Sequence, residues 1–251
     1  MGSEDDSIRE TAPGQGAVFR TTLWTEVMLA GGTASPEAAV ALDNLCRLYW
    51  YPLYAFIRRH GHDVHEAQDL TQAFFCKLIA QGALAGADRE KGRFRSYLLA
   101  RLKHFLANDW TYHRRQKRGG GQTIFSLDEV QAEGRYETEP RCDDTPERLY
   151  ERRWAQTLLD EVMRKLAEEC AAAGQATRFE ELKHYLAGAP ETDSYAEVAG
   201  RLGMSASGIK SAVFRLRQRY RDLFRAEIGN TVATTAEIDE EIGYLFGVLR
   251  G

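Results

Sequence analysis

Residues 194–225, SYAEVAGRLGMSASGIKSAVFRLRQRYRDLFR, constrain the fold more tightly than any other stretch. Tyr195, Val198, Ala199 and Leu202 recur at the spacing of one helical face, so a short amphipathic helix is expected there. Gly203 interrupts the pattern; glycine tolerates positive φ and suits the turn behind a first helix. Ser205 stands where a second helix would begin, and its hydroxyl can accept a bond from an unpaired backbone N–H. Ile209, Val213, Leu216, Tyr220 and Leu223 then mark a second helix with one apolar stripe. Beside that stripe lie Ser207, Lys210, Ser211, Phe214, Arg215 and Gln218, the hydroxyl, cationic, amide and aromatic groups with which a recognition helix meets base edges. Turn, cap, stripe and charge agree on a helix-turn-helix entering a DNA major groove. The alternative is a helical hairpin with a solvated basic face.

Charge is segregated along the chain. Residues 201–225 hold seven Lys/Arg (201, 210, 215, 217, 219, 221, 225) against Asp222, a local +6 in a protein of net charge −4. Residues 93–118, RFRSYLLARLKHFLANDWTYHRRQKR, hold eight Lys/Arg (93, 95, 101, 103, 114, 115, 117, 118) against Asp109, a local +7. Phe94, Tyr97, Trp110 and Tyr112 lie among those cations, and rings interleaved with cations suit a strand whose phosphates are held while bases stack. The same rings can equally serve a core, the expected place for Phe94 and Phe105. Between the two basic regions, 128–144 carries seven acids (128, 129, 133, 137, 139, 143, 144) and two Arg (135, 141), an acidic connector.

The chain's 251 residues suffice for two small domains. The expected architecture is all-α: a disordered 1–18, a helical domain over 19–118, a flexible acidic linker over 119–145, a helix-turn-helix domain over 146–229, and a C-terminal amphipathic extension over 230–251. Helices are expected from Thr21 or Thr22 to Gly31, from Pro36 to about Arg59 with Pro52 as a kink or split, over 63–81, and over 93–118. Further helices are expected from a Thr145-Pro146-Glu147 start to about 170, over 176–187, and over 235–249. The last of these has an apolar face of Ile238, Ile242, Leu245, Phe246 and Leu249 that must be buried, on its own domain or on a partner. The four cysteines are scattered, without a C-x-x-C pair, which suits a reducing cytoplasm. No apolar run approaches the ~20 residues of a membrane helix. No G-x-x-x-x-G-K-[ST] loop or H-E-x-x-H appears, and the histidines lack zinc-ligand spacing, so neither catalysis, cofactor nor metal is expected.

Two basic helical regions joined by an acidic connector, the second ending in helix-turn-helix, resemble an extracytoplasmic-function RNA polymerase sigma factor of the sigma-70 superfamily. EAQDLTQAFFCKLI (66–79) resembles the family's polymerase-docking segment, 94–118 the segment that melts and reads the −10 element, and 194–220 the motif that reads the −35 element. The leading FRTTLW, the Gly119–Gly121 run and the extra C-terminal helix resemble a larger branch, similar to sigma factors common in planctomycete-like bacteria. The resemblance implies that Asp69, Gln72 and Lys77 bind core polymerase, on the β′ coiled coil, with the β flap as a further contact. It assigns Asp109, Trp110, Arg114, Arg115, Lys117 and Arg118 to the −10 element, and Ser207, Lys210, Ser211, Phe214, Arg215 and Gln218 to the −35 element. Ala73 and Ala212 replace an acid and an Arg common in relatives, and Ser207-Gly208 replaces the usual Gly-Thr pair. Further implied are promoter DNA and an inhibitory anti-sigma factor as partners, and a signal-responsive regulon. A stand-alone helix-turn-helix regulator with an N-terminal sensing or dimerisation domain is the alternative.

Overall fold

The computed structural model describes residues 36–80, 93–113, 129–138, 144–186, 194–232 and 234–250, and among these every regular element is helical. The expectations for 1–35, the break at 82–92, the cations 114–118 and Gly119–Gly121 lie outside the described residues. In chain order the helices are α1 (Pro36–Arg59), α2 (Val64–Ala80), α3 (Phe94–His113), α4 (Glu129–Thr138), α5 (Pro146–Ala172), α6 (Ala176–Leu182), α7 (Tyr195–Leu202), α8 (Ala206–Gly229) and α9 (Glu237–Arg250), with a 3₁₀ turn at Lys183–Tyr185.

Local chemistry sets the ends of these helices. Asp63 Oδ1 accepts from Glu66 N at 2.8 Å and opens α2. Thr145 caps α5 by accepting from Arg148 N, with Pro146 at the first helical position, where a missing N–H costs nothing. Pro52 lies inside a continuous α1, so the expected kink or split does not divide the helix. Tyr51, Leu53, Tyr54, Phe56 and Ile57 are all buried around it, as the apolar richness of this run requires.

The spine is α5, which packs against α1, α6, α8 and α9. Trp154 is fully buried in it, near Tyr49 of α1 (ring centroids 6.1 Å), and Tyr49 in turn meets Phe94 of α3 edge-to-face at 5.4 Å. One apolar cluster runs from Leu45 in α1 through α2, α3 and α5 to Phe224 and Ile228 of α8 and Leu245 of α9. Two smaller clusters lie beside it: Leu166, Cys170 and Phe179, and the helix-turn-helix core. Burial keeps the Cys46 thiol protonated, pushing its pKa up to about 12.

Residues 129–138 of the expected connector are helical, and α4 is docked on α1. Arg58 Nη2 donates to Glu133 Oε1 at 2.7 Å and the Tyr54 hydroxyl donates to Oε2. Burial pushes the Glu133 carboxyl up, but these bonds outweigh it and hold the carboxyl below its ordinary value. Tyr136 lies under the Arg58 guanidinium at 5.0 Å. Polar and cation–π contacts fix α4, which is why apolar periodicity does not announce it.

The C-terminal helix lies on α5 and α8, burying Leu245 and Val248. It also buries a charge. Glu241 accepts from Arg95 Nη1, and its other oxygen lies 2.6 Å from Arg93 Nε. Arg95 is buried between the rings of Trp154 (4.9 Å) and Tyr244 (5.2 Å), and Glu151 Oε1 lies 3.8 Å from its Nε. The Tyr244 hydroxyl donates to Glu151. Removing one member of such a cluster strands a buried charge. Glu241→Ala should therefore cost about 3–5 kcal/mol in urea unfolding, while Asp239→Asn, which breaks an exposed pair with Arg225, should leave the midpoint unchanged.

Candidate nucleic-acid interface

The helix-turn-helix is built from hydrogen bonds that its sequence supplies locally. Ser194 and Glu197 form a reciprocal capping box: Ser194 Oγ accepts from Glu197 N at 3.3 Å, and Ser194 N donates to Glu197 Oε2 at 2.7 Å. Gly203 ends α7 at φ +62°, a left-handed conformation that a Cβ would strain. Met204 N returns to Ala199 O at 2.9 Å, closing the turn. Ser205 then caps α8 by accepting from Gly208 N at 3.1 Å. A Cβ on Gly208 would lie 3.2 Å from that same Ser205 Oγ, so the small residue keeps the cap open.

Val198 and Ala199 of α7 meet Ile209, Ala212 and Val213 of α8 over Leu182 and Tyr185, a core separate from the large one. Tyr185 and Tyr195 stack at 4.9 Å, and the Arg217 guanidinium donates to Tyr185 O at 2.9 Å. These contacts fix α8 against α7, leaving the opposite side of α8 outward.

That outward side carries all six residues expected to contact a −35 element. Ser207, Lys210, Ser211, Phe214, Arg215 and Gln218 are exposed at i, i+3, i+4, i+7, i+8 and i+11. Phe214 is 62% exposed, an apolar ring standing in a polar face. Ser207 Oγ lies 3.1 Å from Ser205 Oγ, and Lys210 Nζ lies 5.9 Å from the Tyr195 ring centre. Arg215 also borders a cleft of about 270 Å³, whose floor includes Leu166, Cys170, Phe179 and Leu216.

Net charge overstates the basic surface here. Of the seven cations in 201–225, Arg201 pairs with Glu181, Arg217 is spent on Tyr185 O, Arg219 is bidentate to Glu169 (2.6 and 2.7 Å), and Arg225 pairs with Asp239. The Arg219 hydrogen bond holds the Glu169 carboxyl below its ordinary value. Lys210, Arg215 and Arg221 have no carboxylate partner among the described residues, and all three are exposed on the outward face.

The second basic region is thinned in the same way. Arg93 and Arg95 meet Glu241, Arg101 Nε donates to the Tyr97 hydroxyl at 3.0 Å, and Lys103 pairs with Glu147 at 2.5 Å. Phe94 and Phe105 are buried, as expected of core aromatics. Asp109 and Trp110 fall near the end of α3, with side chains outside the described part, and Arg114, Arg115, Lys117 and Arg118 lie outside it altogether.

The residues expected to bind polymerase share a face of α2. Asp69 and Lys77 are exposed and Gln72 is half-buried, while Ala67, Leu70, Phe74, Phe75 and Leu78 are buried on the other side. Lys77 Nζ lies 5.2 Å from the Phe105 ring centre. Among the described residues no helix is long and apolar enough to cross a membrane.

The buried Arg95–Glu241 pair, flanked by the more exposed Arg93 and Tyr244, is not anticipated from apolar periodicity, although a signal exists. Glu241 falls on the stripe of Ile238, Ile242 and Leu245, and Arg95 follows Phe94 on the buried side of α3. A charge on an apolar stripe calls for a buried partner.

Comparison with protein-family models, with curated proteins and with solved structures finds no match.

Because Lys210 and Arg215 are exposed and lack ion-pair partners, Lys210→Ala and Arg215→Ala should leave the thermal midpoint unchanged. Ser205→Ala should instead lose about 1 kcal/mol through the cap, and calorimetry separates the two classes.

Proposed function

We propose that this chain is a sigma factor of the extracytoplasmic-function kind, which binds core RNA polymerase and directs it to promoters. The observation that carries the reading is the outward face of α8. A capped helix on a helix-turn-helix frame presents Ser207, Lys210, Ser211, Phe214, Arg215 and Gln218 together, with both cations unspent. Such a helix enters a major groove by its first turns, where Arg215 would read a guanine and Phe214 would lie against bases. Lys210 and Arg221 would hold phosphates. The α2 face with Asp69, Gln72 and Lys77 would dock on the β′ coiled coil, and the β flap would hold the second half of the chain. Asp109, Trp110, Arg114, Arg115, Lys117 and Arg118 would act on the −10 element, trapping a base unstacked at a cost of a few kcal/mol. An anti-sigma factor would keep the protein idle in the cytoplasm until a signal releases it. The bond-making chemistry would belong to the polymerase.

A stand-alone helix-turn-helix regulator is the second reading, favoured by the unbroken core that joins α1 to α8 and α9. Co-purification separates the two. A sigma factor brings down core polymerase, and Asp69→Ala with Gln72→Ala abolishes that; a stand-alone regulator leaves polymerase in the flow-through. In reconstituted transcription, Arg215→Ala should cost about 1–3 kcal/mol and relax preference at one promoter position. Lys117→Ala should weaken all promoters alike and reduce the salt slope by about one. Unchanged promoter choice in Arg215→Ala would remove the −35 assignment.

A further inference from the structure

One cleft lies beside the reading face of α8 and is left unused by the function proposed above. It opens where the end of α5, the start of α6 and the middle of α8 converge, and it holds about 270 Å³. Its floor is apolar: Leu166 and Phe179 are buried, with Cys170, Ala212 and Leu216 beside them. Burial raises the Cys170 thiol pKa, so the sulfur stays neutral and forms part of that floor.

The rim is polar and mostly cationic. Arg178, Arg215 and Arg219 line it against one carboxylate, Glu169, and three minus one leaves +2 at the mouth. Glu169 is spent, since its two oxygens accept from Arg219 at 2.6 and 2.7 Å. The Arg178 guanidinium donates to the neutral Gln175 amide oxygen, and Arg215 has no carboxylate partner among the described residues. Two guanidinium groups from different helices, α6 and α8, therefore line one opening with their charge unanswered.

This combination selects its occupant by exclusion. A phosphate of the DNA backbone would answer the cations but leave the apolar floor wet. A plain hydrocarbon would cover the floor but desolvate two unpaired cations, which costs free energy. An acid with a compact apolar body meets both demands, and a planar carboxylate suits the guanidinium fork. The volume sits just below the roughly 300–1,000 Å³ of ordinary small-molecule sites, which limits that body to about one ring.

We propose that this cleft binds a small carboxylate with a single aromatic or branched apolar body, and that the bound acid draws Arg215 away from DNA. The second half rests on the function proposed above. Arg215 belongs to both surfaces: it lines the cleft and stands in the outward row of α8. One guanidinium fork serves a carboxylate or a guanine but not both, so acid and duplex compete. By linkage, the duplex weakens the acid by the same factor that the acid weakens the duplex. Arg178 belongs to the cleft alone, because it lies on α6, outside the row assigned to nucleic acid.

The test uses the full chain with phenylacetate as the probe. Calorimetric titration should give a Kd of about 1 mM or tighter, with phenylacetamide, acetate and inorganic phosphate each at least about tenfold weaker. Arg178→Gln and Arg215→Gln should each weaken phenylacetate about tenfold while keeping the native melting temperature; should one fail to fold, the other decides. No phenylacetate binding would overturn the site, and so would acetate or phosphate binding as well as phenylacetate, the mark of an adventitious anion only. A duplex is then selected from randomised DNA by the native chain. At constant ionic strength, phenylacetate at about nine times its Kd should weaken that duplex about tenfold. Arg178→Gln should bind the duplex like the native chain and no longer respond to the acid. Phenylacetate binding that leaves duplex affinity intact would overturn the competition for Arg215. Failure to select any duplex would overturn the DNA reading and the competition with it, while the titration still decides the cleft.

Discussion

The Arg95 guanidinium, held by Glu241 between the rings of Trp154 and Tyr244, is the interaction on which the arrangement of this protein depends. It joins α3, α5 and α9, which are remote in sequence, inside the core. A guanidinium removed from water needs its charge met and its faces covered. Here a carboxylate meets the charge through Nη1, the Trp154 and Tyr244 rings lie 4.9 and 5.2 Å from the guanidinium while its Nε and Nη2 make no hydrogen bond among the described residues, and the Tyr150 hydroxyl anchors the Arg95 carbonyl at 3.1 Å. The cation lies against α5, which also carries α1 and α8.

Much of the helical architecture is legible in the sequence because the signals are local. Thr145-Pro146, Ser194 with Glu197, Gly203 and Ser205 act within a few residues of themselves, and the structure places helix ends at each. The outward face of α8 follows from the same logic, since periodicity alone sorts Ile209 and Val213 inward and Phe214 and Arg215 outward. What escapes is long-range and polar. α4 is held by the Arg58–Glu133 pair and by a ring beneath a cation, contacts between positions 75 residues apart that leave no periodic trace. The Glu241 cluster leaves one trace, a charge on an apolar stripe, but its partner Arg95 lies 146 positions away and is not named by any local pattern.

Charge counts mislead in a related way. Two regions with local charges of +7 and +6 look like continuous basic tracks. Once folded, Arg93, Arg95, Lys103, Arg201, Arg219 and Arg225 are each matched by a carboxylate from elsewhere in the chain. Several of those acids come from α5, α6 and α9, which the sequence presents as ordinary amphipathic helices. On α8 the surface available to a polyanion contracts to Lys210, Arg215 and Arg221, beside the exposed Phe214. If α8 meets nucleic acid as proposed, a narrow contact of that kind would favour recognition over bulk electrostatic attraction, since each spent cation removes a phosphate contact from the salt-dependent part of binding.

The exposed polar face of α8 and the α2 face with Asp69 and Lys77 are the features on which the proposed sigma reading rests. The most direct measurement is to sequence transcript 5′ ends after forced expression of the intact chain. If the chain directs polymerase, the new start sites share two short sequence elements at fixed distances upstream. New starts without a shared pair, or changes confined to existing promoters flanking a single symmetric site, would contradict that role.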